Sequence, residues 1–269
     1  MKRFLLYSQE GEDWILYSAL KHVDKGFYID VGANDPWDIS VTKFFYERGW
    51  SGINIEPLVE EYDLLCEDRP RDINLNMGAG NIDGEMKFYV MGTGTTCDVD
   101  TVNDPEWTTY KERESLITRT IPVKRLSNII NELVKEKNQE IHFCKIDVEG
   151  FERNVLEGID FNRHRPWIMV LESAFPGSNR RLCHDKWEDV LATNGYELAF
   201  VAGINRYYVD LKASSQYETL KANFNSIDLE NPDAQLFRVT KYEAQPCPEE
   251  SSFKKFLRKL LMAIWRKIP

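Results

Sequence analysis

The chain has 269 residues, 42% of them apolar and 12% aromatic, and a formal net charge of −10. That length can bury one large α/β domain with appendages. No apolar run approaches the ~20 residues that span a bilayer, and the five scattered cysteines (Cys66, Cys97, Cys144, Cys183, Cys247) form no C-x-x-C pair, which argues against zinc ribbons and redox motifs.

The cysteines read as reduced, buried thiols of a cytosolic protein. The start, Met1-Lys2-Arg3-Phe4, turns polar by Ser8-Gln9-Glu10, so no signal peptide is expected. Residues 9–23 carry Trp14, Ile15, Ala19, Leu20 and Val23 at helical spacing. A strand follows at 27–31, then a helix over 40–48 with Ser40 as its N-cap. A second strand, Gly52–Glu56, ends on an acid and is stopped by Pro57. Helix 58–67 comes next, then a third strand over Ile73–Met77. Asp83-Gly84 is a hairpin signal, with an extra strand at Met86–Val90. Residues 92–118 are polar and irregular, the mark of a lid or substrate loop. Helix 125–137, strand Ile141–Asp147 and a helix from Glu152 follow. Then come strand Trp167–Glu172, a helix over Lys186–Asn194 closed by Gly195, and a hairpin of Tyr196–Val201 with Arg206–Val209. This alternation predicts a doubly wound sheet with a final antiparallel hairpin. Residues 212–250 read as a polar appendage and linker.

Three clusters carry chemistry. The first strand ends in Asp30-Val31-Gly32-Ala33-Asn34. Open α/β sheets bind ligands at such carboxyl ends. Gly32 would let the backbone approach a ligand closely, and Asp30 and Asn34 supply polar groups. The second and third glycines of a pyrophosphate loop are missing. A nucleoside-like cofactor without a pyrophosphate, S-adenosylmethionine, fits best. Glu56 ends the next strand, where an acid accepts hydrogen bonds from ribose hydroxyls. The third cluster is Lys145-Ile146-Asp147-Val148-Glu149-Gly150. Period two puts Lys145, Asp147 and Glu149 on one side of a strand. A buried Lys145 needs an acid, and Asp147 and Glu172 are the candidates. Glu172 ends the fifth strand at the same sheet edge. His184 is a further base candidate. Asp147, Glu149, Glu172 and His184 could bind a hard divalent cation, but no tight ligand spacing demands a metal, so none is assigned.

The final stretch is distinct. Phe253, Phe256, Leu257, Leu260, Leu261, Ile264, Trp265 and Ile268 recur at helical spacing. The opposite face is lysine and arginine. The pattern predicts an amphipathic helix on an anionic membrane surface. Partner binding or docking on the acidic body are its alternatives. Without residues 251–269 the body has 28 basic against 44 acidic residues, which should repel nucleic acid.

Together these motifs resemble the FkbM family of S-adenosylmethionine-dependent methyltransferases. The resemblance runs from about Ser8 to Asp210. It rests on Ser8-Gln9-Glu10-Gly11-Glu12-Asp13, the Asp30–Asn34 loop, Gly49-Trp50-Ser51-Gly52 leading to Ile55-Glu56-Pro57, and Lys145–Gly150. It implies a class I methyltransferase (Rossmann-like) α/β fold, seven strands with the last antiparallel. It implies O-methylation, often of sugars or polyketide-like hydroxyls. By resemblance Asp30, Gly32 and Asn34 would hold the methionine part and Glu56 the ribose, with Gln9 and Asp13 closing over the cofactor. Asn76–Gly80 follows the family loosely, so the adenine contacts stay open.

The expected organisation is a methyltransferase domain over 1–211, an appendage over 212–250 and a basic helix over 251–269. The expected function is O-methylation of a sugar hydroxyl on a glycan or glycolipid, in the cytoplasm at the inner membrane face. A glycosyltransferase could be a neighbouring partner. Asp147 is the first choice of proton acceptor, then Glu172, with Glu149 orienting the acceptor and Lys145 tuning a carboxylate. A natural-product methyltransferase, a nucleotide-dependent oxidoreductase and a non-catalytic nucleotide-binding module are the rivals.

Overall fold

The computed structural model describes residues 4–91, 94–104, 116–134, 139–227 and 236–238. The chain opens with β1 (Phe4–Leu6), α1 (Glu12–Ala19), β2 (Phe27–Val31), α2 (Val41–Tyr46), β3 (Ser51–Ile55), α3 (Val59–Asp68) and β4 (Ile73–Leu75). It then leaves this alternation for β5 (Gly78–Gly80), β6 (Gly84–Met91), β7 (Gly94–Thr96), α4 (Val99–Asn103) and β8 (Ile117–Arg125). Alternation resumes with α5 (Leu126–Leu133), β9 (Phe143–Ile146), α6 (Glu152–Glu157) and β10 (Ile168–Glu172). A short pair follows, β11 (Ala174–Phe175) and β12 (Ser178–Leu182). The described residues end with α7 (Glu188–Thr193), β13 (Tyr196–Ala202), β14 (Asn205–Asp210), α8 (Ser214–Asn225) and β15 (Leu236–Arg238).

The main sheet has seven strands in the order β13-β14-β10-β9-β2-β3-β4. β4, β3, β2, β9 and β10 are parallel. β14 enters antiparallel between β10 and β13, as the hairpin pattern predicts. Both faces are covered, so its central strands read as apolar runs. Ile29, Val31, Ile53, Ile55, Cys144 and Ile146 face a core shared with α5, α6 and α7. Tyr28, Phe143, Ile168 and Val170 face the other, shared with α1, α2 and α8. The chain winds outward from β2 through β3 to β4, then returns to the other side of β2 as β9. That reversal is a topological switch point, and it leaves a crevice at the carboxyl ends of β2 and β9.

Several sequence expectations need correction. Asp83-Gly84 does not close a hairpin between neighbouring strands. β8 lies between β5 and β6, parallel to one and antiparallel to the other. The Asp83 carboxylate instead accepts from Arg125 N (2.7 Å) and Asn128 Nδ2 (2.6 Å). The third strand stops at Leu75, and the following glycines join the second sheet. The expected loop over 92–118 contains β7, α4 and the start of β8 among its described residues. Ser40 makes no side-chain cap bond to α2; its hydroxyl accepts from Arg69 instead. The stretch read as an appendage includes α8, whose Leu220 and Phe224 are buried in the second core. The packed body therefore runs past residue 211, because one face of α8 covers apolar surface of α1 and β14. Cys66 is exposed, whereas Cys97, Cys144 and Cys183 are buried, all four as free thiols. No helix among the described residues is long and apolar enough to cross a membrane. The basic amphipathic stretch 251–269 lies outside the described residues.

Candidate active site

A cavity of about 330 Å³ sits at the switch point, between the loops that follow β2, β3 and β9. The loop after β2 turns sharply at Gly32, whose φ is +79°. A Cβ built there would lie 1.9 Å from the Asp147 carbonyl oxygen. The glycine is thus required by the neighbouring strand end as well as by its left-handed backbone. Gly32 and Ala33 both donate to the Ile55 carbonyl, at 3.0 and 3.2 Å. Asn34, also at positive φ, donates its backbone N–H to Glu56 Oε2 at 2.8 Å.

Glu56 is buried and also accepts from Leu58 N at 2.8 Å. Burial pushes its carboxyl up to about 7, against the pull of those two N–H donors. A carboxylate has about four acceptor positions. Two are used, so capacity remains on a wall of the cavity. Met77, Ala79, Phe88 and Phe151 line an apolar part of the same cavity, which suits a planar ring.

On the other side stands Lys145. Register sets it beside Asp30, since the two are paired across β2 and β9. Its ammonium lies 3.4 Å from Asp30 Oδ1 and 3.3 Å from Asp147 Oδ2, and it donates to the Gly32 carbonyl at 3.4 Å. Burial works against its charge, but the two carboxylates outweigh that and hold its pKa above the usual lysine value. Sequence reading foresaw Asp147 as a partner and missed Asp30. Glu172 does not meet the lysine; it hydrogen-bonds Asp147.

Asp147, Glu149 and Glu172 bring one carboxylate oxygen each within 4.8 Å of one another. Period two does not explain this, because β9 ends at Ile146 and Glu149 has φ +53°. The turn is held instead by Glu152, whose carboxylate accepts from Gly150 N (3.1 Å) and Val148 N (3.3 Å). Thr96 Oγ1 donates to the Glu149 carbonyl at 2.7 Å. Burial opposes ionisation of Asp147, but Lys145 and the Glu172 bond pull its pKa below the usual range. Burial and then Asp147 push Glu172 up to about 11, so it carries a proton at neutral pH. Burial and then Asp147 raise Glu149 to about 8. Three carboxylates this close could also hold a hard divalent cation, a grouping that ligand spacing in the sequence did not reveal.

Gly32, Asn34, Glu56, Lys145, Asp147 and Glu149 all line the cavity. Asp30 does not. It lies beneath the loop, 1% exposed, with Oδ2 accepting from Thr42 Oγ1 at 2.8 Å. It therefore holds Lys145 rather than a ligand. Asp13 is also away from the cavity. It is fully buried and accepts from Tyr7 N (2.7 Å) and Ser8 Oγ (2.7 Å), fixing the turn into α1. Gln9 is exposed and outside the lining. His184 Nε2 lies 3.0 Å from an Arg206 guanidinium nitrogen, away from the lining. Guanidinium only donates, so that nitrogen is an acceptor and is not turned toward the carboxylates. Sequence reading missed Ile39, Phe88, Cys97 and Phe151 as lining residues; they are apolar and look like core. Gly78-Ala79-Gly80 offered a signal, since small residues in a row mark a close approach of backbones.

A seven-stranded sheet of this order, with a cavity at its switch point, defines a methyltransferase-like α/β domain. The family comparison is more particular: the methyltransferase FkbM domain matches residues 30–198. That is more than half the chain, which therefore belongs to the FkbM methyltransferase family. No curated protein matches the chain.

Proposed function

We propose that this methyltransferase uses S-adenosylmethionine to O-methylate a sugar hydroxyl of a cell-surface glycan or glycolipid at a membrane surface. The observation that carries the reading is the pairing, in one cavity, of Glu56 with spare acceptor capacity and an ionised Asp147 opposite. Glu56 would accept from the ribose diol, and Gly32 and Asn34 would shape the loop around the methionine part. The cofactor, when bound, supplies an electrophilic methyl group on a sulfonium. The chain's own task is to align the acceptor oxygen and take its proton. Asp147 is ionised at neutral pH and reaches the cavity. Lys145 fixes its orientation, and Glu172 hydrogen-bonds it. Glu172, already protonated, is not the proton acceptor that sequence reading ranked second.

A second assignment of the proton acceptor is favoured by Glu149, whose pKa of about 8 matches a general base better than a depressed one. The pH profile separates the two. An Asp147 base is ionised throughout, so with the cofactor saturating kcat/KM for the acceptor should be flat from about pH 6 to 9. A Glu149 base must lose its proton, so kcat/KM should rise as pH passes about 8.

Glu56→Ala should weaken S-adenosylmethionine binding about 10- to 150-fold, the effect of losing hydrogen bonds to a charged group. Ribose hydroxyls favour the ionised carboxylate, so wild-type affinity should fall as pH drops below about 7. Calorimetric titration of folded protein checks both, and unchanged affinity in the variant would remove Glu56 from the ribose site.

The membrane part rests on the 251–269 pattern alone. Full-length protein should float with anionic liposomes and lose this in high salt, each basic residue adding about 1 kcal/mol at most. Protein truncated after Glu250 should stay behind yet methylate a small free acceptor. Equal partitioning of both would end the anchor reading. The basic face would then serve a partner such as a neighbouring glycosyltransferase.

A further inference from the structure

We infer that Ile39 is an apolar wall at the cofactor end of the cavity, kept there by a strained backbone that the end of α3 clamps. The inference rests on the S-adenosylmethionine reading. Ile39 has φ +62°. A β-branched residue in the left-handed region is a genuine outlier. Packing in the core does not explain it, because Ile39 is 51% exposed while residues 40–46 behind it are buried. Ile39 lines the cavity on the same loop as Asn34.

Such strain persists only where the surroundings over-determine it, and here they do. Arg69, fully buried, donates to the Pro36 carbonyl at 2.7 Å and to the Ser40 hydroxyl, on either side of Ile39. It also donates to Thr42 Oγ1, which in turn donates to Asp30. Asp68 accepts from Trp37 Nε1 and Lys43 Nζ, both at 2.7 Å. A loop needing only closure could carry glycine or asparagine at this position with little strain. Isoleucine gains little burial there, so what its side chain contributes is an apolar surface at the cavity.

The test uses the full chain with Ile39→Asn, Ile39→Gly and Ile39→Val, S-adenosylhomocysteine as the calorimetric probe, and Tm as the structural readout. Ile39→Asn and Ile39→Gly should bind the probe about 5- to 20-fold more weakly, the effect of removing part of one aliphatic contact. Their Tm should hold or rise by a few degrees as strain is released. Ile39→Val, which keeps the apolar wall, should bind within about twofold of wild type. Undiminished affinity in Ile39→Asn and Ile39→Gly would overturn the inference. So would a fall in affinity accompanied by a large fall in Tm, which would make Ile39 a packing residue. A wild-type protein that does not bind the probe would instead overturn the cofactor reading, and the inference with it.

Discussion

Asp147→Asn should lower turnover by about 10²- to 10⁴-fold, the range for a lost general base, with affinity for S-adenosylmethionine near that of the wild type. The substitution keeps the shape and removes the charge. Lys145 retains Asp30 at 3.4 Å, so its ammonium is not left alone in a buried place. Glu172 loses the neighbouring charge that, after burial, does most to keep it protonated. Its pKa should therefore fall, and part of the lost basicity could reappear at higher pH. Single-turnover rates over a pH series, beside calorimetric cofactor titrations, measure both effects. Near-normal turnover across the series would assign the proton to Glu149. Loss of turnover on chelation, restored by Mg²⁺, would instead make the three carboxylates a cation site.

Gly32→Ala should destabilise the protein by roughly 2–5 kcal/mol. About 1–2 of this is the left-handed backbone, and the rest is overpacking against the Asp147 carbonyl. At about 2–4 °C per kcal/mol for a domain of this size, Tm should fall by roughly 4–20 °C. The new methyl meets backbone at 1.9 Å rather than a flexible side-chain tip, so it has no cheap way to be accommodated. Because the displaced carbonyl belongs to Asp147, turnover should fall even at temperatures where the variant stays folded. Thermal unfolding together with low-temperature assays tests this. A Tm within about 2 °C of wild type would show that the β9 turn yields easily and that Gly32 is not a structural requirement.

Much of this site was legible in local sequence. The runs Phe27–Val31, Gly52–Ile55 and Ile141–Ile146 announce buried parallel strands. The acid or glycine ending each one places polar groups at a single sheet edge. Gly32, Glu56 and the Lys145–Gly150 segment are found that way, because strand ends and turn residues have local signatures. Residue choice alone also implied that a buried lysine needs an acidic partner.

What tertiary structure decided is which groups meet. Asp30 looks like a ligand-binding strand end, yet its register partner is Lys145, so it holds the lysine and stays under the loop. Asp13 and Gln9 sit in a recognisable motif, yet one is consumed by the backbone of its own turn and the other faces solvent. Glu149 joins Asp147 and Glu172 through a left-handed turn, which strand periodicity cannot foresee. Arg69 and Ile39 have no local signature at all. One is a buried guanidinium gripping a loop some thirty residues away, and the other is an isoleucine in a conformation its own chemistry disfavours. The chain by itself determined the strands of the main sheet and their polar ends, because those follow from short-range pattern, and the order of its motifs carried the family resemblance. Protonation states, ion-pair partners and the shape of the cavity depend on distances between segments far apart in the chain, and only the folded packing sets those distances.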